Sequence, residues 1–277
     1  MSGVDTPPAV TLATAEVRTW GERLHVATTR RMSIAPITDT HPDMTIDDAY
    51  AIQLDLIARR LADEKATVIG RKIGVTSKPV QDMLNVRQPD FGHLLSSMVR
   101  ADRSAVAIAG LIAPRIEGEL AFLLRRDLAG PGVTPADVLA ATDYVAPCLE
   151  IVDSRIRDWR IAIQDTVADN ASSGLFVVGG AIADPRKLDL RLVGMTLERN
   201  GRIVGTGAGA AALDDPLAAV AWLANTMGRL GITLRAGEII LSGALSGLVP
   251  VQAGDAFRVS LGGIGAATIC FDGGDAQ

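Results

Sequence analysis

Arg115-Ile116-Glu117-Gly118-Glu119 carries two carboxylates through an otherwise apolar stretch of the chain. A charge among apolar residues is unfavourable unless another group compensates it. If the stretch is a β-strand, residues two apart face the same side, so Glu117 and Glu119 converge. A third carboxylate, Glu150, lies in the comparable stretch Cys148-Leu149-Glu150-Ile151-Val152-Asp153. The pattern therefore predicts strands on which three acidic side chains can meet.

Three converging carboxylates would repel one another strongly, and a hard divalent cation is the simplest remedy. The carboxylate oxygens, in a chain with only three histidines and two cysteines, favour Mg²⁺ or Mn²⁺ over zinc. The alternative is a strand whose Glu-x-Glu side chains lie on a solvated outer face. The spacing alone leaves both interpretations open.

Composition limits the classes of function. The chain has 277 residues, and with 48% hydrophobic but 4% aromatic residues its core must be built mainly from Ala, Val, Leu and Ile. A net charge of −5 without a basic stripe argues against nucleic acid or an anionic membrane as partner. Cys148 and Cys270 lie in apolar runs and are expected to be buried, reduced thiols. With neither a signal peptide nor a membrane-length apolar run, we expect a soluble, cytoplasmic protein.

The N-terminal part has the periodicity of helices. We expect no regular structure up to about Pro8, and then a helix from Leu12 to about Arg30 with Thr11 as its cap. Thr45-Ile46-Asp47-Asp48 resembles a capping box and predicts the start of a second helix. The sequence thus divides into an N-terminal helical region, residues 1–65, and a β-rich catalytic domain, residues 66–277.

Short apolar runs broken by Gly, Pro and Asp predict the strands of the second part. Thr134-Pro135 and Asp215-Pro216 are typical helix starts, and Asn200-Gly201 is a strong hairpin signal. Further strands are expected at 68–75, 238–242 and 257–261, the last two in the same sheet system.

Gly205-Thr206-Gly207-Ala208-Gly209-Ala210 superficially matches a dinucleotide-binding fingerprint. A hairpin precedes it, however, and Asp214-Asp215-Pro216 interrupts before the next helix, so the context is wrong for nucleotide binding. Glycines that permit tight turns are the better explanation.

Lys72 and Asp90 each have two interpretations. Lys72 in an apolar strand is either an outward, solvated side chain or a buried group that binds a carboxylate or transfers protons. Asp90, in a loop bounded by Pro and Gly, either forms a turn or acts as a general acid/base. The polar stretch 164–174 is either a capped loop or a loop that presents donors to a small substrate.

Five stretches of the chain are informative when they are taken together. They are Lys72-Ile73-Gly74-Val75-Thr76-Ser77-Lys78, Gln88-Pro89-Asp90-Phe91-Gly92, Pro114-Arg115-Ile116-Glu117-Gly118-Glu119, Glu150-Ile151-Val152-Asp153-Ser154-Arg155 and Asp165-Thr166-Val167-Ala168-Asp169-Asn170-Ala171-Ser172-Ser173-Gly174. Together they resemble the 2-oxopent-4-enoate (2-hydroxypentadienoate) hydratases of aromatic meta-cleavage pathways, in the fumarylacetoacetate hydrolase superfamily. The similarity extends over nearly the whole chain from about Thr45.

The resemblance implies an α+β protein: a mixed β-roll catalytic domain of fumarylacetoacetate-hydrolase type with an N-terminal helical part, a divalent metal and a homo-oligomer. It also implies a small 2-hydroxydienoate substrate, with water added to 2-hydroxypenta-2,4-dienoate to give 4-hydroxy-2-oxopentanoate. By position, the implied metal ligands are Glu117, Glu119 and Glu150, the acid/base and substrate-handling residues are Lys72 and Asp90, and Ser172 lies in the substrate loop.

The related 4-oxalocrotonate decarboxylases resemble the chain in the same carboxylates, the lysine and much of the polar loop. That family typically has an apolar residue where this chain has Asp90. Proton transfer to or from water needs a titratable group, so Asp90 favours the hydratase. A third alternative is an inactive subunit that supports a decarboxylase partner, against which the intact carboxylates, Lys72 and Asp90 argue.

Overall fold

Two capped helices form the N-terminal part of the computed structural model, which describes residues 10–83, 86 and 88–273, so that the expectation for the first eight residues lies outside it. Helix α1 is Thr14–Arg30 and α2 is Ile46–Glu64. The capping box of α2 is confirmed: the Asp48 N–H donates to Thr45 Oγ1 at 3.1 Å, and the Thr45 N–H donates to the Asp48 carboxylate at 2.9 Å.

The predicted cap of α1 is wrong. Ala13 stands at the N-cap, and its N–H donates to Glu16 Oε2 at 3.0 Å. Thr11 instead donates its N–H and its hydroxyl to the Asp48 carboxylate, at 2.6 and 2.8 Å. A carboxylate at the start of α2 is the stronger acceptor, so it fixes the entry to α1 from the neighbouring helix.

Four further α-helices follow in the described part of the chain. They are α3 (Lys78–Met83), α4 (Pro135–Ala141), α5 (Ile163–Ala168) and α6 (Pro216–Arg229). The starts predicted at Thr134-Pro135 and Asp215-Pro216 are confirmed. Thr134 Oγ1 accepts the Asp137 N–H at 3.3 Å, and Asp215 Oδ1 accepts the Leu217 N–H at 2.9 Å.

The strands form two mixed sheets. They are β1 (Val68–Gly74), β2 (Asp90–Leu95), β3 (Val99–Arg100), β4 (Ala105–Ala107), β5 (Pro114–Leu124), β6 (Thr142–Asp153), β7 (Ser173–Val178), β8 (Gly194–Arg199), β9 (Arg202–Ala208), β10 (Ile239–Leu241), β11 (Val249–Pro250), β12 (Ala256–Leu261) and β13 (Gly265–Asp272). The larger sheet has the order β2-β1-β10-β5-β6-β7-β3, with β11 also paired to β5. The smaller has the order β4-β13-β12-β8-β9. The pairs β1–β10, β3–β7 and β4–β13 are parallel, whereas the other pairs are antiparallel.

Strands β5 and β6 lie at the centre of the larger sheet and are buried along most of their length. Strands covered on both faces have nearly continuous apolar sequences, which explains the runs around the glutamates. The helices α1 and α2 pack into the same hydrophobic cluster as these strands, through Trp20, Leu24 and Leu56. The division into residues 1–65 and 66–277 remains a prediction. Among the described residues, no helix has the length and apolarity needed to cross a bilayer.

The structure also tests the smaller predictions. The hairpin between β8 and β9 is confirmed, with Asn200 and Gly201 at φ 53° and 75°, as its tight turn requires. The late strands β10 and β12 belong to different sheets, contrary to expectation. Cys148 is a buried free thiol, whereas Cys270 is partly exposed.

The glycine-rich stretch forms a tight turn at its end, where Gly209–Ala211 is a short 3₁₀ helix, but not at its first two glycines. Gly205 and Gly207 are residues of β9. A Cβ at Gly207 would collide with the backbone carbonyl of Leu245. Close approach of two backbones, rather than a turn, therefore explains the need for glycine there.

Candidate active site

The three glutamates converge at the centre of the larger sheet. Glu117 on β5 lies directly opposite Glu150 on β6, and Glu119 follows on the same face of β5. One carboxylate oxygen from each residue lies within 4.8 Å of the others, and all three side chains are buried. The alternative of a solvated outer face is thereby excluded.

Burial and mutual repulsion disfavour the charged forms of these carboxyls. Burial raises the pKa of Glu117 to about 8, and the neighbouring Glu150 carboxylate acts in the same direction. Burial, Glu150 and Glu117 raise the pKa of Glu119 well above its usual value. Within the described part of the chain, Glu119 Oε1 and both carboxylate oxygens of Glu150 have no hydrogen-bond partner. Buried, unpartnered carboxylate oxygens at this spacing are a donor set that fits a hard divalent cation.

Backbone geometry fixes one of these carboxylates. The Gly243 N–H, just after β10, donates to Glu119 Oε2 at 2.8 Å. Gly243 has φ 101°, and a Cβ there would collide with Thr76. Only glycine fits both the positive φ and the close approach, so this N–H is held towards Glu119.

Lys72 is buried beside the glutamates and is not the solvated residue of the alternative interpretation. Its strand β1 lies between β2 and β10, and its Nζ is 3.4 Å from Glu150 Oε2. Burial alone would lower the pKa of Lys72, but the carboxylates, Glu150 and Asp90 foremost, outweigh it and raise the pKa above its usual value. The arrangement therefore favours the protonated form of Lys72.

Asp90 begins strand β2 rather than lying in a loop, opposite Gly74 of β1. Thr166 donates its hydroxyl to Asp90 Oδ2 at 3.0 Å, whereas Oδ1 has no hydrogen-bond partner in the described regions. Burial raises the pKa of Asp90, and Lys72 opposes that rise. A Cβ at Gly74 would collide with Asp90 Oδ1, so glycine leaves the carboxylate its space.

The polar stretch is partly helical, contrary to the expected loop. Residues 164–168 belong to α5, and a turn at Asn170–Ser172 with φ values of 55°, 50° and 53° leads into β7. Left-handed conformations at successive non-glycine residues are strained and need support. Asn170 provides part of it, because its side chain accepts the His93 N–H at 2.7 Å and donates to the His93 carbonyl at 2.9 Å.

Arg155 and Asp169 form the other support of this turn. The Arg155 Nε donates to Asp169 Oδ1 at 2.5 Å, and its Nη1 donates to the carbonyls of Asp153 and Ser173 at 2.7 and 3.0 Å. Asp169 Oδ2 in turn accepts the hydroxyl of Ser172 at 3.3 Å. The buried pair thus fixes the position of Ser172 at the cavity wall.

A cavity of about 500 Å³ opens onto this site. Lys72, Asp90, Glu117 and Ser172 line it, whereas Glu119 and Glu150 are not among its lining residues. Several lining residues were not predicted from the sequence, of which Thr166 could have been suspected from its hydroxyl in the polar stretch. Arg115 and Val75 lie in stretches that carry the family resemblance, but the sequence analysis did not single out either of them, or Trp159, as a site residue.

Comparison with known proteins agrees with this geometry. The chain matches the family described as fumarylacetoacetate (FAA) hydrolase C-terminal over residues 50–271. It is 56% identical to a 2-hydroxyhexa-2,4-dienoate hydratase of Comamonas testosteroni, covering 92% of this chain and 97% of the relative. It is also 56% identical to a 2-hydroxypent-2,4-dienoate hydratase of Pseudomonas putida, covering 76% of this chain and 96% of the relative.

A solved structure is similar over almost the whole chain. The 4-oxalocrotonate decarboxylase from Pseudomonas putida G7, complexed with magnesium and adipate, has a TM-score of 0.91 and 36% identity, covering 95% of this chain and all of that chain (100%). The same enzyme is also known with calcium and acetate. The predicted fold class and the predicted resemblance are confirmed, and the buried triad could hold a divalent metal. The chain belongs to the fumarylacetoacetate hydrolase family.

Proposed function

We propose that the chain is a metal-dependent hydro-lyase of aromatic meta-cleavage catabolism that adds water to 2-hydroxypenta-2,4-dienoate and forms 4-hydroxy-2-oxopentanoate. The observation that carries this proposal is a buried carboxylate triad that reaches the cavity through Glu117, in the same cavity as Asp90, whose pKa is raised by burial. Hydration requires a group that exchanges protons with water, and Asp90 meets that requirement. The hydratase names of the 56%-identical relatives support the same reaction.

The triad would hold the metal, with Mg²⁺ or Mn²⁺ as the ion. Glu117, Glu119 and Glu150 offer oxygen ligands, which these hard cations prefer. The similar decarboxylase is complexed with magnesium, which supports a divalent ion of this kind. Such an ion, when bound, supplies Lewis-acid stabilisation of negative charge on the substrate oxygens.

The other residues bind the substrate and move protons. The cationic Lys72 would hold the substrate carboxylate and the C2 oxygen. The dienol loses its hydroxyl proton and gains a proton at the far carbon, and water then adds at C4 while a proton goes to C3. Asp90 would carry protons to and from water or carbon, with Thr166 orienting its carboxylate through the 3.0 Å hydrogen bond. Ser172 would donate or accept a hydrogen bond at the cavity wall.

Three further features belong to this proposal. The active protein would be a homo-oligomer, it would act in the cytoplasm, and it could associate with a decarboxylase partner. The two parts of the chain, residues 1–65 and 66–277, would serve as a helical support and a catalytic domain, respectively.

The alternative function is a 4-oxalocrotonate decarboxylase, or an inactive subunit that supports one. The specific observation in its favour is the decarboxylase structure at 36% identity and a TM-score of 0.91. Asp90 is the residue that argues for hydration, because decarboxylation breaks a C–C bond without adding a water molecule that must be deprotonated.

Two parallel assays on the purified chain with Mg²⁺ separate these functions. One supplies freshly made 2-hydroxypenta-2,4-dienoate, and the other supplies 2-oxohex-3-enedioate. Formation of 4-hydroxy-2-oxopentanoate supports the hydratase. Release of CO₂ from the second substrate without hydration of the first would establish the decarboxylase, and no turnover of either would favour the inactive subunit.

A further inference from the structure

Arg115 is a cation in the cavity without an anionic partner in the described part of the chain. Its side chain has no hydrogen bond or ion pair to any described residue, although it lines the cavity. Its guanidinium carbon lies 4.5 Å from the centre of the Trp159 ring, a stacking arrangement. The five N–H donors of the guanidinium are therefore free to bind a ligand.

The position of Arg115 relative to the triad follows from the strand. Arg115, Glu117 and Glu119 alternate along β5 and face one side, at about 7 Å for each step of two residues. Glu119 is fully buried and does not line the cavity, whereas Glu117, which is 6% exposed, and the half-buried Arg115 do, so the series runs outwards from the buried end of the site. A ligand with one end at the triad would thus have its other end near Arg115.

The cavity also has apolar lining residues that suit a hydrocarbon chain. Val152, which pairs with Arg115 across β5 and β6, lines the cavity together with Ile161, Leu245 and Leu248. Trp159 is fixed by its indole N–H, which donates to the Ala113 carbonyl at 3.0 Å, and its backbone is left-handed at φ 56°. Strain of this kind at a non-glycine residue is typical of functional sites.

We propose that Arg115 is a second anion-binding position, so that the cavity accepts short-chain dicarboxylates with one carboxylate at the triad end and the other on the guanidinium. A planar guanidinium matches a carboxylate in a two-point hydrogen-bonded pair. A terminal methylene or methyl group, as in 2-hydroxypenta-2,4-dienoate, cannot form this pair, and the half-buried guanidinium would then be hydrated instead. The substrate class then includes 2-hydroxydienoates with a second carboxylate at the far end, an extension that rests on the proposed function.

Calorimetric titration of the Mg²⁺-loaded protein with two six-carbon acids tests this position. Adipate has a carboxylate at both ends, whereas hexanoate has one. We expect adipate to bind the wild-type protein at least about tenfold more tightly, as for a charge-assisted hydrogen-bonded pair. In Arg115→Gln this preference should disappear while hexanoate affinity stays within about twofold, and Arg115→Lys should keep only part of it.

Arg202→Gln is the matched control, because Arg202 is an exposed residue of β9 that does not line the cavity. It should keep the full preference for adipate. Adipate binding no tighter than hexanoate in the wild type, including no binding of either, would overturn the proposal. So would an unchanged preference in Arg115→Gln or, if that variant does not fold, in Arg115→Lys.

The hydration assay and the adipate titration test two different proposals, and either proposal can fail without the other. A preference for adipate without hydration of 2-hydroxypenta-2,4-dienoate leaves Arg115 as an anion-binding position and overturns the hydratase. Hydration of 2-hydroxypenta-2,4-dienoate without a preference for adipate over hexanoate supports the hydratase function and overturns the proposed role of Arg115.

Discussion

Glu117 and Glu150 lie directly opposite each other on the neighbouring antiparallel strands β5 and β6, at the buried centre of the larger sheet. Like charges in this cross-strand position destabilise a sheet. Lys72, at 3.4 Å from Glu150, offsets one of the carboxylates, but Glu119 adds a third. The sheet therefore carries a local electrostatic cost that a bound divalent cation would remove.

The first prediction concerns thermal stability. Because the cation would bind the folded triad, Mg²⁺ at a hundredfold excess over its Kd should stabilise the protein by about 2.7 kcal/mol, equivalent to a Tm increase of several degrees. Glu117→Gln should lose most of this increase, whereas Glu22→Gln on the exposed face of α1 should retain it. Scanning calorimetry with and without Mg²⁺ measures the effect. An equal Tm increase in the wild type and Glu117→Gln would contradict it.

Metal affinity should depend on pH. Burial and Glu150 raise the pKa of Glu117 to about 8, so below that pH the metal must displace a proton from this carboxyl. Affinity should therefore fall as pH decreases below 8, about tenfold per pH unit for each displaced proton. Calorimetric titrations in buffers of different ionisation enthalpy measure both the Kd and the released protons. A Kd that stays constant between about pH 6 and pH 8 would refute the assignment.

Asp90→Asn should separate proton transfer from metal binding. The amide has nearly the shape of the carboxylate but cannot exchange a proton, so hydration should slow by about 10²–10⁴-fold. The Kd for Mg²⁺ should stay close to that of the wild type, because Asp90 is not one of the three clustered ligands. Steady-state kinetics and a metal titration on the same preparation provide the two numbers. Normal turnover by Asp90→Asn would remove this residue from the mechanism.

Arg155→Ala should destabilise the fold strongly. It would leave Asp169 buried without its cation, which costs about 3–5 kcal/mol. The matched control is Arg160→Ala, since Arg160 and Asp39 form an exposed pair at 3.1 Å that should contribute less than about 1 kcal/mol. Urea unfolding of both variants measures the difference. Similar losses of unfolding free energy in Arg155→Ala and Arg160→Ala would show that the buried Arg155–Asp169 pair stabilises the fold no more than an exposed pair does.

Local sequence pattern indicated which carboxylates could converge, although the spacing alone left a solvated face as the alternative and the full ligand set came from the family resemblance. Alternation along a strand brings Glu117 and Glu119 to one face, and the apolar neighbours indicate burial. Helix caps such as Thr45 and Thr134 were also predictable, because a cap depends on residues only three apart. The residue types of Lys72 and Asp90 indicated possible roles in binding and proton transfer. Their burial side by side could not be predicted from the neighbouring sequence.

The remaining features depend on contacts between distant parts of the chain. The parallel pairing of β1 with β10 joins Lys72 to Leu241, and no local signal specifies it. The same is true of Thr11, which bonds to Asp48 and not to its own helix. Arg115 and Trp159 are distant in the sequence, and Trp159 approaches Arg115 from a segment whose backbone is left-handed. Contacts of this kind can be identified only once the three-dimensional structure is known.

Metal-dependent hydration is tested most sharply by an Mn²⁺ titration followed by electron paramagnetic resonance, with turnover of 2-hydroxypenta-2,4-dienoate measured on the same samples. We predict one bound Mn²⁺ per chain, turnover in proportion to bound metal, and loss of both in Glu119→Gln. Full turnover by the metal-free protein, or unchanged Mn²⁺ binding in Glu119→Gln, would contradict a catalytic metal on the triad.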